Sequence, residues 1–290
     1  GKAFAGKLYG NGFTISGIAL SKNEEAVGLG VFSSIEVIDI GNQTKSPLIA
    51  NVNLSIANIK GGSVATVGGL AGYIKGGYDT DRATIVNVAI DFEEESQILA
   101  YNYAGSLSGM AFGNVVIRNI KVENANVNAQ RSEKDDVGSS SNYISNADLT
   151  TLRGYLRDVS YNTSLISPDR LGKYSFAGGI IGLVDIYTQR GDKDTVVVYE
   201  NSATEEEYQL TNIKTTGSVN VMGENVGGAF GFIGASTNLS DIGVVIDLSS
   251  DDVGASKIFS TRYYAGGVVG QSFGVLNRIY SVHDDATQDT

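Results

Sequence analysis

The chain has 290 residues, 37 of them Gly but only two Pro, with no Cys, no Trp and 42% hydrophobic side chains; this excludes a collagen helix, a disulfide scaffold and ordinary disorder, and leaves ample length for a core. A formal charge of −11, from 21 basic against 32 acidic residues, makes nucleic acid and anionic lipid headgroups poor partners. No stretch reaches the roughly 18 apolar residues that cross a bilayer, and no charged-then-apolar signal opens the chain at Gly1, so a mature or excised piece with no membrane insertion is expected; the lack of Cys leaves its compartment open.

In chain order, the opening FAGKLYGNGFTISGIAL (Phe4 to Leu20) gives way to a Gly-rich segment that recurs along the chain. It reads VGLGVF from Val27 in a loose form, then VGGLAG from Val67, AGSLSG from Ala104, AGGIIG from Ala177, VGGAFG from Val226 and AGGVVG from Ala265. Successive starts lie 40, 37, 73, 49 and 39 residues apart, which marks a repeat architecture with two enlarged spacings. Between these copies lies a second element: IANV from Ile49, IVNV from Ile85, IRNI from Ile117, LTNI from Leu210, LSDI from Leu239 and a degenerate LNRI from Leu276. Alternation follows it, with Val88, Ile90 and Phe92 against Ala89, Asp91 and Glu93, the period of a strand with one buried face.

Each period thus holds at least two strands separated by turns and no crossover helix, so equivalent strands are expected to stack in parallel about 4.8 Å apart. The expected fold is all-β, a parallel β-helix of about six coils, one per Gly-rich copy, forming one domain over residues 1–290. The paired glycines would sit where backbones approach closely or take φ > 0. Leu70, Leu107, Ile180, Phe230 and Val268 would form an inward apolar ladder. Asn51, Asn87, Asn119, Asn212 and Asp241 would line one corner, bonded to turn backbone and to the next amide. Glycines in this register serve architecture; GxxxxGK is absent and nothing argues for nucleotide binding.

These segments resemble the GLUG-motif repeat, named for its Gly-Leu-any-Gly core and found in large bacterial surface proteins, and Phe4 to Leu20 is similar to the segment that often precedes such repeats. The resemblance covers nearly the whole chain outside two insertions. It implies a right-handed parallel β-helix similar to pectate lyase scaffolds, and relatives that include adhesins and the noncatalytic amino-terminal regions of bacterial immunoglobulin A1-specific metallopeptidases. Ser106, in place of a second glycine, and the irregular copy at Val27 depart from the pattern.

Both enlarged spacings flank the fourth copy, where loops can grow without disturbing a stack. The first insertion, residues 131–173, opens polar and then sets Leu149, Leu152 and Leu156 at helical spacing, which predicts a short amphipathic helix over residues 147–159 capped by Asn146 or Asp148. The second, residues 185–206, has two β-prone runs around a polar turn and predicts a protruding hairpin. Its turn carries Arg190, Gly191 and Asp192, a tripeptide that resembles the integrin-binding signal of host matrix proteins, although polar turns favour these residue types anyway. Together the insertions would form a side lobe, either a recognition surface or loops without a partner.

Catalysis has little to stand on. Polysaccharide lyases and hydrolases on such a scaffold cluster carboxylates with Lys or Arg from neighbouring coils. The one such grouping is Asp91, Glu93 and Glu123 beside Lys121, for which a solvated face with cross-coil ion pairs is the simpler account. His283 is the sole His, Cys and HExxH are absent, and so there is no zinc cluster or imidazole triad. Asp79 with Asp81, Asp192 with Asp194, Asp251 with Asp252, and Asp284 with Asp285 lack EF-hand or nonapeptide spacing; no cofactor is expected, and calcium has no motif behind it. The resulting expectation is a noncatalytic extracellular stalk or adhesion module of a bacterial surface protein, presenting loops to a protein or glycan on a host or neighbouring cell. A carbohydrate-active enzyme on the Asp91 face, and a structural subunit of a filament or surface layer, are the alternatives. Neither GKAFAG nor HDDATQDT supplies a cap, so a longer chain or covering neighbours are expected.

Overall fold

Residues 3–24, 26–40, 43–77, 81–130, 175–186, 209–234, 237–247 and 256–284 are described by the structure, a computed structural model. The first repeat supplies β1 (Lys7–Tyr9), β2 (Thr14–Ser21), β3 (Ala26–Leu29) and β4 (Phe32–Glu36), followed by a hairpin of β5 (Ile38–Ile40) and β6 (Gln43–Lys45). The second holds β7 (Leu48–Gly61), β8 (Val64–Gly68) and β9 (Ala71–Lys75), and the third β10 (Ala83–Phe92), β11 (Ile98–Ala100), β12 (Tyr103–Gly105) and β13 (Ser108–Gly113). The fourth has β14 (Val115–Glu123), β15 (Asn126–Ala129), β16 (Phe176–Gly178) and β17 (Ile181–Ile186), and the fifth β18 (Leu210–Gly217), β19 (Asn220–Gly227) and β20 (Phe230–Ile233). The sixth has β21 (Asn238–Asp247), β22 (Lys257–Gly266) and β23 (Val269–Ser272), and β24 (Val275–Asp284) ends the series.

The described chain is all-β, without a helix, and long parallel pairings dominate it. One sheet of 16 strands contains the run β24-β21-β18-β14-β10-β7, and a second of six strands runs β23-β20-β17-β13-β9-β4. Only β5 and β6 pair antiparallel among the named strands. Strands from equivalent places in successive repeats lie side by side: Val67, Ala104, Ala177, Val226 and Ala265 pair in one continuous register, as the motif spacing predicts. Ser106 leaves that register intact; it is fully buried and its carbonyl accepts from Gly69 N. The helix expected over 147–159, the insertion 131–173 and most of 185–206, including Arg190, Gly191 and Asp192, lie outside the described residues.

Two details of the expected register are corrected. The column of Leu70, Leu107 and Ile180 continues through Ala229 to Val268, not through Phe230, as the Ile180 N to Ala229 O and Ala229 N to Val268 O bonds show. Phe230 belongs one place on, opposite Ile181 and Val269. In the first repeat it is Leu29, not Val27, that pairs with Val67, and Phe32 then meets Ala71, so this corner is one residue shorter than its successors.

The main core is a run of aliphatic side chains through every repeat, from Ile18 and Ile35 to Ile246 and Val268. A second, aromatic-rich core was not foreseen. Ala65, Tyr103 and Phe176, from the strands before the glycine corners, pack with Tyr73, Met110, Phe112, Leu183 and Phe232, from the strands after them. Tyr103 stacks on Phe176 at 5.9 Å between centroids, and Phe176 meets Phe232 edge-on at 5.5 Å. This second core explains the closing glycine of each copy. A Cβ on Gly182 would lie 2.7 Å from the Phe176 carbonyl oxygen and 2.9 Å from the Ala104 nitrogen, because the strands on either side of the corner touch backbone to backbone. Positive φ is not the reason: among the described glycines only Gly12, Gly17, Gly113 and Gly217 have it, and none stands in a Gly-rich copy.

Candidate functional site

Left-handed backbone falls instead on the asparagine corner. Asn51, Asn87, Asn119, Asn212 and Asp241 have φ of 57°, 54°, 56°, 54° and 59°, a conformation that Asn and Asp tolerate better than other side chains. The amides form a directed ladder in which Asn87 Nδ2 donates to Asn51 Oδ1, Asn119 to Asn87 and Asn212 to Asn119, each at 2.8 Å. Arg278 takes the same corner in the last repeat at φ 50°. Its guanidinium clamps Asp241, Nε on Oδ1 and Nη2 on Oδ2 at 2.9 Å, which holds the Asp241 carboxyl below its ordinary range.

The outward columns beside this corner hold the acidic grouping singled out from the sequence. Ser55, Asp91, Glu123, Thr216 and Val245 stack in register, and so do Asn53, Ala89, Lys121, Lys214 and Gly243. Lys121 Nζ lies 2.6 Å from Glu123 Oε1, with 55% and 45% of their side chains exposed. Asp91 Oδ1 accepts from Asn124 Nδ2 at 3.2 Å. Glu93 turns toward the earlier repeats, where Oε1 accepts from Ser55 Oγ at 2.8 Å and Gly17 N at 3.3 Å. The four side chains therefore split: Asp91 and Glu123 are neighbours across strands, with Lys121 on Glu123, while Glu93 is engaged elsewhere. Asp91 and Glu93 accept from neighbouring repeats, while Glu123 pairs with Lys121 along its own strand, so each carboxylate has a partner in solvent.

A buried carboxylate lies in the first repeat. Glu36 is 5% exposed and its Oε1 accepts from Ser34 Oγ at 2.7 Å and Tyr73 Oη at 2.6 Å. Burial first, then the Glu36 charge, pushes the Tyr73 phenol well above its ordinary value. Sequence reading missed this trio, since Glu36 follows an irregular copy and Tyr73 reads as core; the residue just after each closing glycine, Tyr73, Met110, Leu183 and Phe232, was the available signal for the second core. Among the described residues no three His, Asp or Glu side chains converge as a metal site, and no helix is long and apolar enough to cross a membrane. No protein-family model, curated protein or solved structure matches the chain.

Proposed function

We propose that the chain winds as a right-handed parallel β-helix of the GLUG-repeat type and serves as a noncatalytic stalk or adhesion module on a bacterial cell surface. The observation that carries this reading is the uninterrupted parallel register from β7 to β24, with an aliphatic core that runs through every repeat. Such a column is stiff because each repeat is fixed by both neighbours, and it leaves the insertions at 131–173 and 185–206 as the places free to specialise for a protein or glycan ligand. The Arg190, Gly191, Asp192 tripeptide is the candidate contact for an integrin. Beads coated with the chain should attach to host or neighbouring cells, and Asp192→Glu should reduce any integrin-dependent share. Failure of the wild-type beads to attach to any such surface sinks the adhesion reading, and turnover of a glycan panel abolished by Glu123→Gln replaces it with a carbohydrate-active enzyme.

Exposed apolar side chains favour one second reading, end-to-end assembly. Tyr9, Phe13 and Ile15 in the first repeat, and Phe259, Tyr264, Phe273, Leu276, Tyr280 and Val282 from β22 onward, are all more than a third exposed. Ordered fibres of purified protein in electron micrographs would support a filament subunit over a monomeric adhesin.

A further inference from the structure

A groove of about 440 Å³ crosses β15, β19 and β22. Two outward columns line it. Asn126, Asn220 and Lys257 pair in register, as do Asn128, Met222 and Phe259. Its volume falls in the range of small-ligand sites. Asn126 and Asn220 are partly committed to the scaffold: Asn126 Nδ2 donates to Ser96 O at 2.8 Å, and Asn220 Oδ1 accepts from Lys257 N at 3.0 Å. Asn128 is different. It is 8% exposed, yet its Oδ1 has no hydrogen-bond partner among the described residues. A buried amide oxygen left unmatched is costly; Oδ1 is shielded from solvent, and a turn of the Asn128 side chain into the groove would bring it to a ligand hydroxyl and relieve that cost. Phe259, 55% exposed, lies two strands along in the same column and offers a flat apolar face.

We propose that this groove binds a neutral saccharide chain, with Asn128 as the hydrogen-bond acceptor, Phe259 as the platform for a sugar ring, and Met222 filling the space between them. The chemistry selects this class over others. Side-chain amides both donate and accept, as sugar hydroxyls do. A peptide strand would need free backbone groups, but the groove lies on the face of strands already paired to one another. An acidic ligand meets a single lining cation, Lys257, on a chain of net charge −11. A lipid tail would strand three amides. The inference rests on the adhesion reading for its biological setting and deepens it by naming a ligand class.

The test titrates the purified chain with chitohexaose, cellohexaose and mannohexaose by calorimetry, alongside trigalacturonate as the acidic probe. At least one neutral hexasaccharide is expected to bind saturably, with affinity reduced tenfold or more in Phe259→Ala and in Asn128→Leu but retained in Phe259→Tyr. Circular dichroism and the thermal midpoint establish that each variant folds. Should Asn128→Leu fail to fold, Met222→Lys serves in its place, since it projects a charge into the groove from a partly exposed position. Binding of none of the neutral probes, binding indifferent to the groove variants, or binding of trigalacturonate alone overturns the proposal. Saccharide binding without cell attachment would defeat the adhesion reading and leave the groove standing; attachment without saccharide binding would defeat the groove alone.

Discussion

The glycine corner and the asparagine corner both turn the chain sharply once per repeat, by opposite means. At Gly109 and Gly182 ordinary dihedral angles serve, and what the site rejects is any side chain, because the strands before and after the bend touch. At Asn87 and Asn119 the backbone itself is left-handed, and what the site demands is a short side chain that tolerates that twist and bonds to its counterparts above and below. One corner is governed by excluded volume and the other by hydrogen bonding, so the same substitution should act differently at each.

Gly109→Ala should have the largest effect. The new methyl meets the Tyr103 carbonyl and lies 2.6 Å from the Val67 nitrogen, backbone atoms that cannot step aside, and about 3 kcal/mol should be lost in chemical denaturation. If the loss is below 1 kcal/mol (roughly), the claim that backbone contact selects glycine there is wrong. Asn119→Ala should cost about 2 kcal/mol, combining left-handed strain with two broken ladder bonds. Asn119→Gly separates those causes; it removes the strain and should cost about half as much, and an equal cost for both variants would leave the strain argument without support.

Tyr73, which follows Gly72 at a glycine corner, should be worth about 1 kcal/mol as a donor to Glu36 when changed to Phe. Its raised folded-state pKa also has a pH signature: the contribution is whole below about pH 10 and is lost as the pH rises further, because the unfolded phenol ionises first. Tyr73→Phe should flatten the alkaline limb of a stability curve. Arg278→Ala should have the smallest effect, under about 1 kcal/mol, since the Asp241 pair is exposed. Asp241 has a lowered pKa, so its contribution is present at neutral pH and fades as the pH drops below about 4. An acid limb unchanged by Arg278→Ala would show that the clamp does not stabilise the fold.

Much of this architecture was legible because the motif spacing carries the register. The columns from Val67 to Ala265 and from Asn51 to Asp241 pair as their positions in the repeat require. Phe230 misled because hydrophobicity ranks a phenylalanine above an alanine as an inward residue, whereas both sides of β20 are buried. A strand covered on both faces reads as an unbroken apolar run, and alternation then has nothing to mark. The same cause hid the aromatic core, whose members stand in VATVG, AGYIK, YAG, SGMAFG, FAG, IGLVDI and FGFI. At the first repeat, Gly28 and Gly30 offer two ways to align the corner, and only the pairing of Leu29 with Val67 selects one. For the candidate site, sequence put Asp91 beside Glu123 correctly, but which partner each carboxylate chooses depends on side-chain torsions that spacing does not encode.

The amide ladder has one more property. Every link from Asn212 down to Asn51 runs donor to acceptor in one sense, so rotating the Asn119 amide by half a turn would set nitrogen against nitrogen on one side and oxygen against oxygen on the other. Orientation is therefore collective, like aligned needles on a row of compasses, and no member can reverse by itself. Asp241, the one carboxylate in the column, has no N–H to pass along, and it sits where this alignment stops.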